Sequence, residues 1–507
     1  MAVNQLKAGA ALNYVILGLN ALTGLLYTPY MLRMLGQNEF GIYTLAASVI
    51  AYLSLLDFGF GNAVIRYTAK LRAKGDKEGQ YSLFGTFTVL YSVIGIIALA
   101  LGLVLWANTD NMFGATMTAD ELTQTKTVIL LMVLNVAVSF PLSIYGSIIT
   151  AYENFIFLRM VSIIRIFVST GVLVLILYCG YKAIGLVVVQ TMFNIAGLLI
   201  NAIYCNKKLK VKVKFNNFNR PLIREIAVYS FWIFLNVIMD RIYWSTGQFV
   251  LGVTAGPTTV AIYGIAITIM SIYMSYSTAI AGVLLPRITS MVTLNANDRE
   301  ISEIFIRTGR IQFIIMGLIL SGFIVFGGPF IRIWAGADYA DAFPIAVIFL
   351  TALLIPLIQN VGITILQARN QMRFRSLLYV SIAIVTLGAQ ILLAPKYGGI
   401  GCAFAIGAAL LFGQGLIMNI YYQRNQHIDI IKFWREIGRM MPIPVLMTIC
   451  GLYIVNTLPT LSLGQILLAM ALYIAVYIPL FWMFSMNTYE RELIRAPFAK
   501  VLRRVRR

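Results

Sequence analysis

The sequence is short of charge. Asp, Glu, Lys and Arg make up 11% of its 507 residues, less than half the roughly 25% of an ordinary soluble domain. Histidine occurs once, at His427, which excludes a histidine metal cluster or proton relay. Four cysteines without a C-x-x-C pair argue against a disulfide framework and a cysteine zinc site. There is no G-x-x-x-x-G-K-[ST] loop for nucleotide phosphates, no G-x-S-x-G elbow and no H-E-x-x-H helix. No metal or cofactor is expected, and the chain is not expected to be an enzyme. Acidic residues are especially few, 19 against 39 basic ones, for a net charge of +20.

What the sequence does contain is apolar. Hydrophobic residues make up 60% of it, and the mean hydropathy is +0.84. A soluble fold of this size lacks the interior to hide that much apolar surface. The composition therefore indicates an all-α, polytopic membrane protein. A hydrocarbon core of about 30 Å takes roughly 20 apolar residues per helix. Cutting at charge and turn clusters gives fourteen candidate spans, the first near 10–32 and the last near 463–485. The first is read as an anchor and not as a cleavable signal. The runs are long and lack the alternation of barrel strands, so helices are expected.

The basic residues give the orientation. With both termini in the cytoplasm, 32 of the 39 fall on the inner side and five on the outer, with Arg165 and Arg241 in mid-span. That is a strong positive-inside bias. The same residues are expected to meet anionic phospholipid heads at the inner face. Nucleic acid is not an expected partner. The run NKKLKVKVKFNNFNR reads as a cytoplasmic linker, IDIIKFWREIGR as an amphipathic helix at the inner surface, and the tail YERELIRAPFAKVLRRVRR as one lying on the anionic leaflet.

The chain repeats at an offset of about 216–222 residues. Leu35-Gly36 matches Leu251-Gly252, Ile42-Tyr43 matches Ile262-Tyr263, Asp76-Lys77-Glu78 matches Asp298-Arg299-Glu300, and Gly171 matches Gly388. Tyr181 and Ile184-Gly185 match Tyr397 and Ile400-Gly401. Six spans per repeat bring both halves in from the same side, as in parallel-repeat transporters. The expected layout is an N-lobe over 1–206 (helices 1–6), a basic cytoplasmic linker over 207–224 and a C-lobe over 225–424 (helices 7–12). A cytoplasmic amphipathic segment over 425–439, helices 13 and 14 over 440–486 and a basic cytoplasmic tail over 487–507 complete it. The two pseudo-twofold-related lobes are expected to face a central cavity.

Charges inside spans are the candidate functional residues. Asp57 lies in SLLDFGFGN, Arg165 in SIIRIFV, and Asp240 and Arg241 in VIMDRIYW. Each costs about 2.5–3.5 kcal/mol on insertion scales, so each should face protein or water. On the functional reading, Arg165 and Arg241 line a wet cavity and attract a phosphate-bearing substrate, because guanidinium stays charged and grips phosphate bidentately. Asp57 and Asp240 would orient the arginines or carry a coupling ion. Arg66 and Arg287 close spans at the inner entrance and could meet substrate there. On the structural reading the four mid-span charges form interhelical ion pairs. Gly24, Gly171 and Gly247 allow close helix approach or bending, and Pro141 and Pro356, near-equivalent in the repeat, are candidate hinges.

Certain motifs resemble a known family. They are Pro29 near the end of span one, Leu35-Gly36, Phe40-Gly41-Ile42-Tyr43, Asp57-x-Gly59, Arg66-Tyr67-x-x-Lys70, Asp240-Arg241 and Tyr397-Gly398-Gly399-Ile400-Gly401. Together they look like polysaccharide-biosynthesis transporters of the multidrug/oligosaccharidyl-lipid/polysaccharide (MOP) superfamily. The resemblance implies two six-helix lobes, two added C-terminal helices, and alternating access in a bacterial plasma membrane. It also implies a substrate, an isoprenoid-diphosphate-linked oligosaccharide flipped from inner to outer leaflet for capsule, exopolysaccharide, O-antigen or a related polymer. A polysaccharide polymerase or synthesis complex is a possible partner. The alternatives are a drug/cation antiporter of the same superfamily and a membrane glycosyltransferase or polymerase.

Overall fold

The structure, a computed structural model, describes residues 5–215, 220–294, 297–369, 371–457 and 462–492. Among the side chains outside the described residues are those of 220–237, 239–240 and 279–287. Two candidate residues, Asp240 and Arg287, therefore lie outside the described residues, as does the basic tail beyond Glu492.

The helices are α1 (Gln5–Leu53), α2 (Phe60–Ala73), α3 (Lys77–Ala107), α4 (Thr109–Phe113), α5 (Ala119–Ala151), α6 (Phe155–Tyr178), α7 (Ala183–Lys207) and α8 (Arg220–Thr293). They continue with α9 (Asp298–Trp334), α10 (Ala342–Ile358), α11 (Val361–Ala368), α12 (Arg373–Leu410), α13 (Met418–Asn425), α14 (Ile430–Met440), α15 (Pro442–Thr457) and α16 (Leu463–Phe484). Among the described residues, 10 helices are long and apolar enough to cross a membrane, or 11 if the bent pair α10–α11 is one span. Large apolar side chains stand on the outside: Leu26, Leu392 and Phe484 are each more than 70% exposed. Such a surface is stable only against lipid. The chain is a multi-pass membrane protein.

Three helices contain a sharp bend at a glycine. The run Val15–Ala73 has 59 residues, which would rise about 90 Å at 1.5 Å per residue, three hydrocarbon thicknesses. It turns at Gly36, where φ is 73° and ψ 170°. Gly256 has nearly the same angles, φ 81° and ψ 177°, and Gly398 has φ 54°. Only glycine enters these regions without strain. The shared conformation corrects the sequence match of Gly36 with Gly252. The counterpart of Gly36 is Gly256, at the same offset as Ile42-Tyr43 and Ile262-Tyr263, so the extra residues precede the bend. Gly252 packs against Leu45 instead. Of the glycines expected to allow close approach, Gly247 does so, against the Tyr263 ring; Gly24 and Gly171 meet nothing within 4 Å. α5 runs unbroken through Pro141. Past Pro356, α10 gives way to α11 at a 41° bend.

The chain divides into two compact units, Met1–Gly264 with Ile391–Gly399, and Ile265–Gln390 with Ile400–Arg507. In the first, α2, α3 and α5 close around Phe60, Phe84, Phe87, Tyr91, Phe140 and Ile144. Close packing is what holds helices together in lipid, where water exclusion contributes little, and small residues permit it. A Cβ on Gly95 would lie 2.6 Å from the Ala137 carbonyl oxygen, and one on Gly102 would strike Val133. These two glycines of α3 let α5 sit against its backbone.

The second unit holds a buried ion cluster. Arg310 of α9 is 4% exposed. Its guanidinium donates twice to Glu490, at 2.6 and 3.0 Å, and also to Glu436 at 2.7 Å and to the Ser485 carbonyl at 2.8 Å. Glu490 is itself 3% exposed. One arginine thus ties α9 to α14 and to the chain following α16. Breaking a buried pair on one side costs about 3–5 kcal/mol when the charge is left alone; here Glu436 still pairs with Arg310, so losing Glu490 costs a part of that. Glu490→Ala is therefore expected to lower the thermal unfolding midpoint in detergent by several degrees and to expose the C-terminal segment to protease. Glu303→Ala, which removes an exposed i,i+4 pair with Arg307, should do neither.

Candidate functional site

The site starts from a break in a helix. α1 ends at Leu53, and a single 3-10 turn follows over Ser54–Asp57. Phe58 and Gly59 then take left-handed angles, φ 49° and 70°, before α2 begins. Gly59 adopts this freely. Phe58 does not: a bulky residue there costs on the order of 1–3 kcal/mol and persists where surroundings impose it. Unwound backbone at membrane depth is tolerated only where it is buried in protein or lines a water-filled cavity.

Here it lines a cavity. The first unit carries an open cavity of about 530 Å³ lined by the broken segment, by Asn135, Ser139, Phe140 and Ser143 of α5, by Asn194 of α7 and by Arg241 of α8. Such a volume lies within the roughly 300–1,000 Å³ of small-molecule sites. The side chains form an ordered polar wall. The Asn194 amide donates to the Asn135 side-chain oxygen at 2.9 Å and to the Ser139 hydroxyl at 2.9 Å. Ser139 donates onward to the Asn135 carbonyl at 2.7 Å. Across the break, the Tyr91 hydroxyl donates to the Asp57 carboxylate at 2.8 Å.

Arg241 is placed by the packing of α8 on the second half of α1. The Tyr52 and Thr246 hydroxyls meet at 2.5 Å, and Thr116 donates to the Gly252 carbonyl at 2.8 Å. The structure brings Asp57 and Arg241 to one cavity. Arg165 does not line it. Arg165 is exposed on α6, with its Cδ 3.7 Å from where a Cβ on Gly197 would sit. Arg66 is also exposed, with its guanidinium 5.9 Å from the Tyr67 ring centroid. Among the described residues, neither Arg165 nor Arg241 forms an ion pair.

Sequence reading missed the neutral wall. Its signal was present: Asn135, Ser139 and Ser143 recur every four residues, one polar stripe on an apolar helix. The register of Asp57 is occupied differently in the repeat. Ser277, 220 residues after Asp57 and so at the offset of Ile42-Tyr43 and Ile262-Tyr263, is fully buried, donates to the Leu357 carbonyl at 2.7 Å and accepts from Gln312 at 3.2 Å and Asn360 at 3.3 Å. One register carries a carboxylate facing a cavity, the other a sealed neutral network.

Broken, bent and polar-lined helices in a multi-pass chain define a membrane protein of the transporter type. The chain belongs to the polysaccharide biosynthesis protein family, whose profile matches residues 6–292. A Shigella flexneri protein, provisionally named an O-antigen transporter, is 19% identical over 77% of this chain and 92% of its own. An Escherichia coli K12 protein of the same name is 24% identical over 77% and 91%. Among solved structures, the lipid II flippase MurJ in an inward closed conformation matches 96% of this chain and 99% of its own, with a TM-score of 0.71 at 17% identity. An inward-facing multidrug resistance MATE family transporter of the MOP superfamily matches 81% and 98%, with a TM-score of 0.65 at 13% identity. At these identities the likeness is one of fold.

The Tyr91–Asp57 bond is testable by a double-mutant cycle. Tyr91→Phe and Asp57→Ala should each destabilise the purified protein, and together by less than their sum, with a coupling of about 1 kcal/mol or more for a hydrogen bond to a charged acceptor. Additive effects would mean that the bond is not made.

Proposed function

We propose that this protein is a flippase for isoprenoid-diphosphate-linked oligosaccharides, moving repeat units from the inner to the outer leaflet of a bacterial plasma membrane by alternating access. The polymer served is an O-antigen, a capsule, an exopolysaccharide or a related surface glycan. The reading makes it a transporter and not an enzyme. The observation that carries it is that Arg241 and Asp57 line one polar cavity at a broken span, in a chain of the polysaccharide biosynthesis family.

Arg241 supplies a permanent charge and a planar fork of donors suited to a diphosphate. Arg165 and the inner-face Arg66 and Arg287 would guide the same group, while the isoprenoid chain stays in lipid. Asp57 and Asp240 would hold the arginines or carry a coupling ion; a gradient supplies about 2.3 kcal/mol per charge per 100 mV. Dividing the three glycine-bent helices at Gly36, Gly256 and Gly398 makes fourteen crossings, with both termini cytoplasmic and the basic inner face against anionic phospholipid or a polymerase. A cationic drug is the weaker substrate, because the wall that carries the Asp57 carboxylate also carries the Arg241 guanidinium.

Deletion of the gene should leave a specific lipid-linked glycan on the inner leaflet, detected by mass spectrometry of extracted lipids. In reconstituted vesicles Arg241→Ala should slow flipping about tenfold or more and Arg241→Lys less, since lysine keeps the charge and loses the fork. The Arg165→Ala, Arg241→Ala double variant should be inactive at normal protein level. Full activity in that variant would end the cationic-site proposal.

A further inference from the structure

Arg241 and Asp57 leave most of the cavity wall without a role. That wall has its own chemistry. Phe58 is held in a left-handed conformation at the cavity, half-buried, its ring centroid 5.8 Å from that of Phe60. Phe140, on the opposite helix, is buried behind the wall and stacks on Tyr91 with centroids 6.4 Å apart, so Phe58 is the aromatic side chain this wall can offer. Beside it stand the amides of Asn135 and Asn194. Each uses only half of its hydrogen-bonding capacity on the other. The Asn135 side-chain oxygen accepts from Asn194, and the Asn194 nitrogen donates to Asn135 and Ser139. Among the described residues, the Asn135 amide nitrogen and the Asn194 amide oxygen have no protein partner, so the wall offers one donor group and one acceptor.

We infer that this wall is a saccharide subsite, where the Phe58 ring meets the C–H face of a neutral sugar and the Asn135 and Asn194 amides meet its hydroxyl or acetamido groups. The inference rests on the flippase reading and adds the part of the substrate that is read. A sugar ring is apolar on its face and polar around its rim, and this wall offers both surfaces side by side. A diphosphate alone needs neither aromatic faces nor neutral amides. A charged sugar fits worse: among the described lining residues the only ionisable groups are Arg241, engaged by the diphosphate on this reading, and Asp57, which would repel an acidic sugar. The amides donate and accept at any pH, so they discriminate by hydroxyl geometry and not by charge. The strained Phe58 backbone sets the ring beside the carboxylate without a helix turn between them.

The test is lipid binding to the full chain in nanodiscs, with three probes: undecaprenyl diphosphate, and the same lipid bearing one N-acetylglucosamine or one galactose. At least one sugar should raise the affinity of the wild type over the bare lipid. Asn135→Ala and Asn194→Ala should each remove roughly two- to tenfold of that gain, the worth of one hydrogen bond, and leave binding of the bare lipid unchanged. Phe58→Leu keeps bulk and loses the ring; it should also reduce the sugar-dependent gain, and gives the same readout if an asparagine variant is poorly folded. Arg241→Ala should weaken all three probes alike. A gain that survives these substitutions, or a wild type that binds all three lipids equally, overturns the subsite while leaving the flippase reading standing. A wild type that binds none of them ends that reading and the subsite with it.

Discussion

A polar group inside hydrocarbon must have a partner or reach water, and the organisation of this protein follows from that requirement. Its backbone satisfies it by forming helices almost throughout. Where the helix fails, at Ser54–Gly59, the freed groups line a cavity also faced by Asp57, Asn135, Ser139, Asn194 and Arg241. The break, the carboxylate and the amide wall belong together: each alone would be costly in lipid, and together they make a site. The same requirement explains Arg310. A guanidinium at 4% exposure is tolerable because two carboxylates and two carbonyls accept its hydrogen bonds, and in return it ties α9 to α14 and to the chain following α16.

The two repeats use one register for opposite ends. Asp57 faces a cavity, and Ser277 is sealed among Leu357, Gln312 and Asn360. A closed neutral network rigidifies its surroundings, whereas a carboxylate beside a cavity can meet a ligand.

Much of this was legible in the sequence, for physical reasons. Apolar runs of span length have few alternatives to a membrane helix. Asp57 and Arg241 were visible because charge in a span is so unfavourable that chance rarely leaves it there. Neutral residues escape that logic. Asn135, Ser139 and Asn194 cost little individually, and only their common helical face marks them. Arg310 was unreadable because its partner Glu490 is 180 residues away, and a surface anchor looks identical until the chain is folded. The bend at Gly256 was displaced by four residues in the sequence match, since Leu251-Gly252 imitates Leu35-Gly36 letter for letter. Backbone angles, which one-letter identity does not carry, separate the two.

Water access to the amide wall tests the central claim most directly. With Cys179 and Cys450, the exposed cysteines, changed to serine, a single cysteine at Asn194 can be treated with a small, charged, membrane-impermeant thiol reagent, alongside a lipid-facing cysteine at Leu392. The account predicts rapid labelling at 194, slow labelling at 392, and protection at 194 by lipid-linked glycan. Equal, slow labelling at both positions would show a dry interior and contradict it.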